Sequence, residues 1–227
     1  MPPKQAPIVV VGDGEFAEIA YEYFTHDSPH DVVAFAAERA FRTRETLYGL
    51  PVVAFEEVER HFPPAEHAAF VAVTFTQLNR VRARLYAAAK AKGYAPTRYV
   101  SSRAFVWHNA TVGENCFVFE NNVVQHHARV GDDVILWSGN HVGHRAAIGD
   151  HCFLSSHVVV SGYCEIGESC FLGVNSTIAD RVRVARDCVI GAGALIVRDT
   201  EEGKVYKGPR DAEPSAAGSL RLFKVGG

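Results

Sequence analysis

Four side chains able to bind a metal or move a proton fall within SGNHVGHRAAIGDHC, residues 138–152: His141, His144, His151 and Cys152. Imidazole and thiolate are zinc ligands. An imidazole titrating near neutrality is also a ready general base. Which chemistry is open depends on which way each side chain points, and that is set by the elements carrying them.

The surrounding sequence has a beat of six. Stepping from Val106 meets Val112, Val118, Val124, Val130, Leu136, Val142, Ile148, Leu154, Val160, Ile166, Leu172, Ile178, Val184, Ile190 and Ile196, sixteen aliphatic residues without a break. Four residues after each, the positions are mostly small or β-branched, among them Ala110, Cys116, Ala128, Val134, Ala146, Cys152, Val158, Cys164, Cys170, Ser176, Val182, Cys188 and Ala194; Asn122 and Asn140 are the exceptions. One aliphatic and one small inward residue in every six is the hexapeptide signature of a parallel β-helix. Related segments recur every eighteen residues, VGEN at 112, VGDD at 130, IGDH at 148, IGES at 166 and VARD at 184. Three hexapeptides therefore make one triangular coil, and about five coils stack at the strand spacing of about 4.8 Å. The glycine followed by an acidic residue is expected at the corner, where a tight turn favours a permissive backbone.

This phase separates the candidate ligands. All five cysteines, Cys116, Cys152, Cys164, Cys170 and Cys188, share the small inward position, where a free thiol behaves as a compact hydrophobe. Cys152 is thus expected to be packing. None of the seven histidines between 106 and 157 occupies an inward phase, so these point outward, and His151 falls at a coil corner. His108, His126 and His144 are eighteen apart and form one column, continued by Gly162 and Asp180.

Residues 7–100 lack the beat. PIVVVGDGEFAEIAYEYF reads as a buried strand, a glycine turn and a helix, and DVVAFAAER as a second strand. Further strands are expected at LPVVAF and AAFVAVTF, a long amphipathic helix over TQLNRVRARLYAAAKAKGY, and a last strand near TRYVSS. The alternation predicts a small, parallel, Rossmann-like α/β sheet. Its first turn has the form G-x-G-x-x-A through Gly12, Gly14 and Ala17, with Asp13 between the glycines. That spacing lets amides at a helix N-terminus approach a phosphate, and Glu38 after the second strand is placed to accept a ribose hydroxyl. A glycine turn that merely links strand to helix is the competing reading. A domain of about a hundred residues suits a mononucleotide better than a dinucleotide. The expected organisation is an α/β nucleotide-sugar domain over 1–100, a β-helix over 101–200, and a closing segment and mobile tail over 201–227.

The 227 residues are 48% hydrophobic with a formal charge of −3, and Lys and Arg are spread rather than blocked. General nucleic-acid binding is therefore not expected. The N-terminal apolar run is too short for a signal peptide or a membrane span, and five cysteines cannot all pair internally. A cytoplasmic enzyme is expected.

A small α/β domain followed by hexapeptide coils resembles the two-domain sugar acyltransferases of bacterial surface-polysaccharide pathways, left-handed β-helix enzymes that acetylate UDP-bacillosamine precursors, GDP-perosamine and dTDP-4-amino-4,6-dideoxyglucose. The likeness runs from VVVGDGEFAE through VGHRAAIGD, IGESCFLGVNST and VIGAGALIVRD to KVYKGP. It implies a left-handed coil, a homotrimer, acetyl-CoA as co-substrate and a nucleotide-linked amino sugar as acceptor, with no metal. The family pattern H-x-x-x-I-G-[DE] matches His144, Ile148, Gly149 and Asp150, which makes His144 the implied general base. The cofactor-contacting positions carry over onto Gly162, Val174 and Ala192. The nucleotide of the sugar substrate belongs at Gly12, Asp13 and Gly14, and Asn140, His141 and Glu120 are candidates for acceptor contacts. The residue after the base departs from the bacillosamine enzyme's pattern: Arg145 stands where that enzyme has an acid. Lys204, Lys207 and Arg210 are candidates for the CoA phosphates.

Three alternatives stay open. O-acetylation, as in the similar sialic acid O-acetyltransferases, needs the same base. A zinc lyase like the γ-type carbonic anhydrases requires two histidines five apart and a third on another coil, and no pair here has that spacing. A non-catalytic scaffold explains the coils but leaves the glycine turn without a role.

Overall fold

The computed structural model describes residues 6–209. The N-terminal sheet is built from β1 (Ile8–Val11), β2 (Val32–Ala37), β3 (Thr46–Leu47), β4 (Leu50–Ala54), β5 (Ala68–Val71) and β6 (Ala95–Pro96), in the order β3-β4-β2-β1-β5-β6. All neighbours are parallel except the β3–β4 hairpin. The runs IVVV and AAFV are buried throughout, as central parallel strands covered on both faces must be. Helix α1 (Glu15–Asp27) covers one face through Phe16, Ala17, Ala20 and Phe24. After the short α2 (Val58–His61), helix α3 (Arg80–Ala91) covers the other through Leu85, Tyr86 and Ala89.

Two boundaries differ from the sequence-based expectation. Helix α3 starts at Arg80 rather than near residue 76, because Gln77, Leu78 and Asn79 take φ of 52°, 49° and 66°, left-handed values that end helical geometry. The strand expected at TRYVSS is not the last of the α/β sheet. Tyr99–Val100 pairs with Phe117–Val118 and is the first rung of the solenoid, so the chain changes domain at Thr97 and Arg98.

The coils form three parallel sheets, the faces of a left-handed triangular prism. The first face runs from Tyr99–Val100 through Phe117–Val118, Ile135–Leu136, Phe153–Leu154 and Phe171–Leu172 to Val189–Ile190. The second contains Phe105–Val106, Val123–Val124, His141–Val142, Val159–Val160, Thr177–Ile178 and Leu195–Ile196. The third contains Thr111–Val112, Arg129–Val130, Ala147–Ile148, Glu165–Ile166 and Arg183–Val184. From Val118 onward every aliphatic residue on the six-residue beat is buried in one continuous column. All five cysteines are buried, and their thiols meet backbone carbonyls, as Cys116 Sγ does with Gly131 O at 3.0 Å and Cys152 Sγ with Gly167 O at 3.1 Å. Burial pushes the Cys116 thiol up to about 12, so it stays protonated and inert.

The corners are built differently from the expectation. Positive φ recurs every sixth residue, at Asn115, Asn121, His127, Asp133, Gly139, Arg145, His151, His157, Tyr163, Ser169, Asn175, Arg181, Asp187 and Gly193. The glycine that precedes the acidic residue is not the left-handed one. A Cβ on Gly149 would stand 2.7 Å from the Glu168 nitrogen, and one on Gly167 2.5 Å from the Arg186 nitrogen. These glycines are needed because successive coils touch there. The left-handed residue follows two places later, and its strain is offset by inter-coil hydrogen bonds such as His151 N to Asp132 O at 2.8 Å.

After Ile196 the chain returns as Val205–Tyr206, parallel to Val189–Ile190, so KVYKGP extends the first face over an otherwise open edge. Lys204 and Lys207 are exposed there, while Arg210 and the expected tail lie outside the described residues. No helix among the described residues is long and apolar enough to cross a membrane.

The α/β domain docks on the first face. Tyr99, Phe117, Ile135 and Phe153 point outward from it and join Phe16, Phe24 and Phe70 in one core. Behind this core lies a fully buried Arg82 on α3. Its guanidinium donates to Thr74 O at 2.7 Å, to Asp133 O and His151 O at 3.0 Å, and to Cys152 O at 3.1 Å. The Asp133 carboxylate lies 3.2 Å from Arg82 Nε and also accepts from Asn115 Nδ2 at 2.6 Å, while Asn115 Oδ1 accepts from Val71 N at 2.8 Å. His151 Nδ1 sits 2.8 Å from the second carboxylate oxygen. Corner residues of successive coils thus satisfy a charge that would be prohibitively costly alone.

Candidate active site

The glycine turn opens into a cavity of about 760 Å³, within the range of small-molecule sites. Gly12, with φ of 135°, is required by the fold, since a Cβ there would stand 2.7 Å from Ala72 O. Gly14 is different: nothing lies within 4 Å of where its Cβ would be, so the amides at the start of α1 remain open to a ligand. Asp13 borders the cavity and is engaged, its Oδ2 accepting from Thr43 N at 3.1 Å and Thr43 Oγ1 at 3.3 Å. Glu38 also lines it, held by Arg84 through two bonds of 2.7 Å. Arg84 keeps the Glu38 carboxyl below its usual range. Phe41, Thr74 and Gln77 supply further wall, and Trp137 closes it from the solenoid, stacked on Phe119 at 4.4 Å and 10°. These walls carried no sequence motif; they are contributed by loops that only the fold brings together.

Trp137 stands at the edge between the first and second faces. Glu120, on the same edge, is spent between the domains: Tyr23 OH donates to its Oε2 at 3.0 Å and Ser138 Oγ to its Oε1 at 2.6 Å. Asn140, expected at the acceptor, is 1% exposed. Its Nδ2 donates to Trp137 O at 2.6 Å and its Oδ1 accepts from Val158 N at 2.7 Å, while Asn122 Oδ1 accepts from Asn140 N at 3.2 Å. The two asparagines that broke the small-residue pattern form an internal ladder, which removes Asn140 from any ligand-facing surface. His141 stays half-exposed on the second face.

His144 lies across the second face from Trp137, on the next edge. Its ring stacks on His126 at 5.6 Å and 16° and meets Tyr163 edge-on at 5.1 Å and 84°. Its backbone nitrogen donates to Gln125 Oε1 at 2.9 Å. Loss of hydration, then the neighbouring His127, His144 and Arg145, push the His126 imidazole below its usual range. The expected column is real: a Cβ on Gly162 would stand 2.5 Å from His144 Cε1, 2.8 Å from its Nε2 and 2.9 Å from Asp180 Oδ1. Glycine there leaves a notch beside the imidazole. The arrangement presents a half-exposed imidazole beside an open slot, and an imidazole so placed is able to exchange a proton with a group held there.

Val174 and Ala192 stack eighteen apart and exposed, but on the edge that carries Glu120 and Ser138 rather than on that of His144 and Gly162. One chain therefore does not bring the three cofactor candidates together. Among the described residues no group of three or more His, Cys, Asp and Glu side chains is arranged to hold a metal ion.

The family model for bacterial transferase hexapeptide (six repeats) matches residues 127–162 and 163–198. A perosamine N-acetyltransferase from Caulobacter crescentus, solved with CoA and GDP-perosamine, is 25% identical, covering 88% of this chain and 92% of that one at a TM-score of 0.80. The acetyltransferase domain of PglB from Neisseria gonorrhoeae is 24% identical over 88% and 96% at 0.77, and WeeI from Acinetobacter baumannii 18% over 88% and 96% at 0.73; both share the fold. No curated protein sequence is significantly similar. The hexapeptide model thus covers the coils from 127 to 198, and most of the chain shares the fold of these acetyltransferase structures.

Proposed function

We propose that this enzyme transfers the acetyl group of acetyl-CoA to the amine of a nucleotide-linked amino sugar in the cytoplasm, for surface-polysaccharide synthesis, with His144 as general base. The observation that carries the reading is the half-exposed His144 imidazole beside the notch of Gly162, in a chain similar over most of its length to an enzyme solved with CoA and GDP-perosamine. The amine nitrogen forms its bond to the acyl carbon, the carbon–sulfur bond breaks, and the proton lost by nitrogen passes to His144 and on to the departing thiolate. Holding the amine at the thioester supplies much of the rate, because an activated acyl group needs no covalent enzyme intermediate.

The cavity at Gly12, Asp13, Gly14 and Glu38 is the proposed nucleotide site, the open Gly14 amides meeting phosphate. His141 faces the acceptor from the second face. Gly162 admits the pantetheine arm, and Val174 and Ala192 line the same cofactor from another edge. A groove using both edges requires two copies of the chain side by side, which supports a homotrimer. Lys204 and Lys207 are near enough to the last coil to meet its phosphates.

Acetyl-CoA offered with a panel of UDP-, GDP- and dTDP-linked 3- and 4-amino sugars, beginning with GDP-perosamine, tests this by product mass. An acetylated product stable to mild base supports N-acetylation; a base-labile product would move the reading to an ester. No transfer to any acceptor, with no stabilisation of the folded protein by CoA, would sink it.

A further inference from the structure

Arg145 follows His144, so no carboxylate stands next to the proposed base in the chain. Arg145 has φ of 57° at the coil corner and its side chain is exposed. Among the described residues no hydrogen bond reaches either ring nitrogen of His144. Two aromatic contacts hold the ring, yet neither supplies negative charge to an imidazole that must accept a proton.

A carboxylate does approach from two coils further on. Asp180 continues the column of His144 and Gly162, and its Oδ1 lies 2.9 Å from the point a Gly162 Cβ would occupy, the same point that stands 2.8 Å from His144 Nε2. The bare glycine is what lets the two side chains face one another across a single coil. Asp180 is itself oriented, because its Oδ2 lies 3.3 Å from Arg181 Nε. The Arg181 guanidinium sits 4.3 Å from the Tyr163 ring centre, and Tyr163 meets His144 edge-on. His144, Tyr163, Arg181 and Asp180 are thereby linked in that order by contacts around the notch, with His144 and Asp180 at its two sides.

We propose that Asp180 is the positioning residue of His144, steadying the imidazolium across the Gly162 notch. The inference rests on His144 as the base. His126 below and Tyr163 above touch the ring and Gln125 holds its backbone nitrogen, while His127 lies against His126, Arg181 over Tyr163, and Arg145 follows in the chain. Arg145 and Arg181 in this set are cationic, and Asp180 is the carboxylate that faces the notch beside them. His144 and Asp180 are both accessible to water, which limits the effect to a modest one.

The test is an NMR titration of the His144 imidazole in the full-length protein, compared with Asp180→Asn and Asp180→Glu. Removing the carboxylate should lower the midpoint, and glutamate should restore it. The acidic limb of kcat against pH should move down with it, while KM for acetyl-CoA stays within about twofold. Asp180 is exposed, so both variants are expected to fold, and their thermal midpoints verify it. An unchanged titration, or a shifted titration with an unchanged kcat profile, overturns the proposal. The titration needs no substrate, so its failure is separate from that of His144 as base, which His144→Ala tests independently.

Discussion

The two domains bury their apolar residues by different rules. In the solenoid each coil touches only the coils above and below, and its core is a single column of aliphatic and small side chains. In the α/β domain two cores sandwich one sheet, and one of these is shared with the outward aromatic residues of the solenoid's first face. A defect in a coil is thus local, whereas a defect at the shared face is felt by both units. The difference also divides the proposed chemistry: the repeat displays His144, the proposed base, and a loop-walled cavity forms the proposed nucleotide site.

The largest test of this contrast is Arg82→Ala. It removes a fully buried charge whose partners come from both domains, leaving Asp133 without its guanidinium and several carbonyls without a donor. A loss of about 3–5 kcal/mol is expected in chemical denaturation, with the single transition separating into two. A cooperative transition within about 1 kcal/mol of wild type would show that the domains are not coupled through this clamp.

A smaller effect is expected inside the repeat. Gly149→Ala would place a Cβ 2.7 Å from the Glu168 nitrogen, and the neighbouring coil must shift to admit it. The expected cost is about 1–3 kcal/mol by denaturation, with protection from hydrogen exchange falling in the adjacent coils and holding in β1 and β5. Loss of protection across both domains would contradict the local character of the coils.

Legibility follows the same division. In the solenoid a period of six assigns every side chain a direction, so the buried cysteines, the outward histidines and the stack of His144 over His126 follow from spacing alone. Period does not reveal which polar residues face inward with their own partners. Asn140 looked like a ligand contact and proved to be one rung of a ladder with Asn122, because an inward amide satisfies neighbouring backbone groups. The corner glycines were placed correctly but for the wrong reason, since close approach of coils and left-handed φ both select glycine and only coordinates separate them.

In the α/β domain strand and helix order followed from apolar runs and the glycine turn. The pairing of Glu38 with Arg84, and the entry of Trp137 into the cavity, join residues distant in sequence and leave no local mark. Arg82 carries no local mark of its burial. Its burial depends on Asn115, Asp133 and His151 forming a column at one corner, a pattern visible only once the coil is closed.

In the proposed mechanism one outward histidine on the repeat, His144, takes the proton of the acyl acceptor. Its most direct test is kcat of His144→Ala with saturating acetyl-CoA and the acceptor found in the amino-sugar panel, measured beside the thermal shift produced by CoA. The expected result is a fall in kcat of roughly 10²- to 10⁴-fold with the CoA-induced shift retained. A kcat near that of the wild-type enzyme would contradict it.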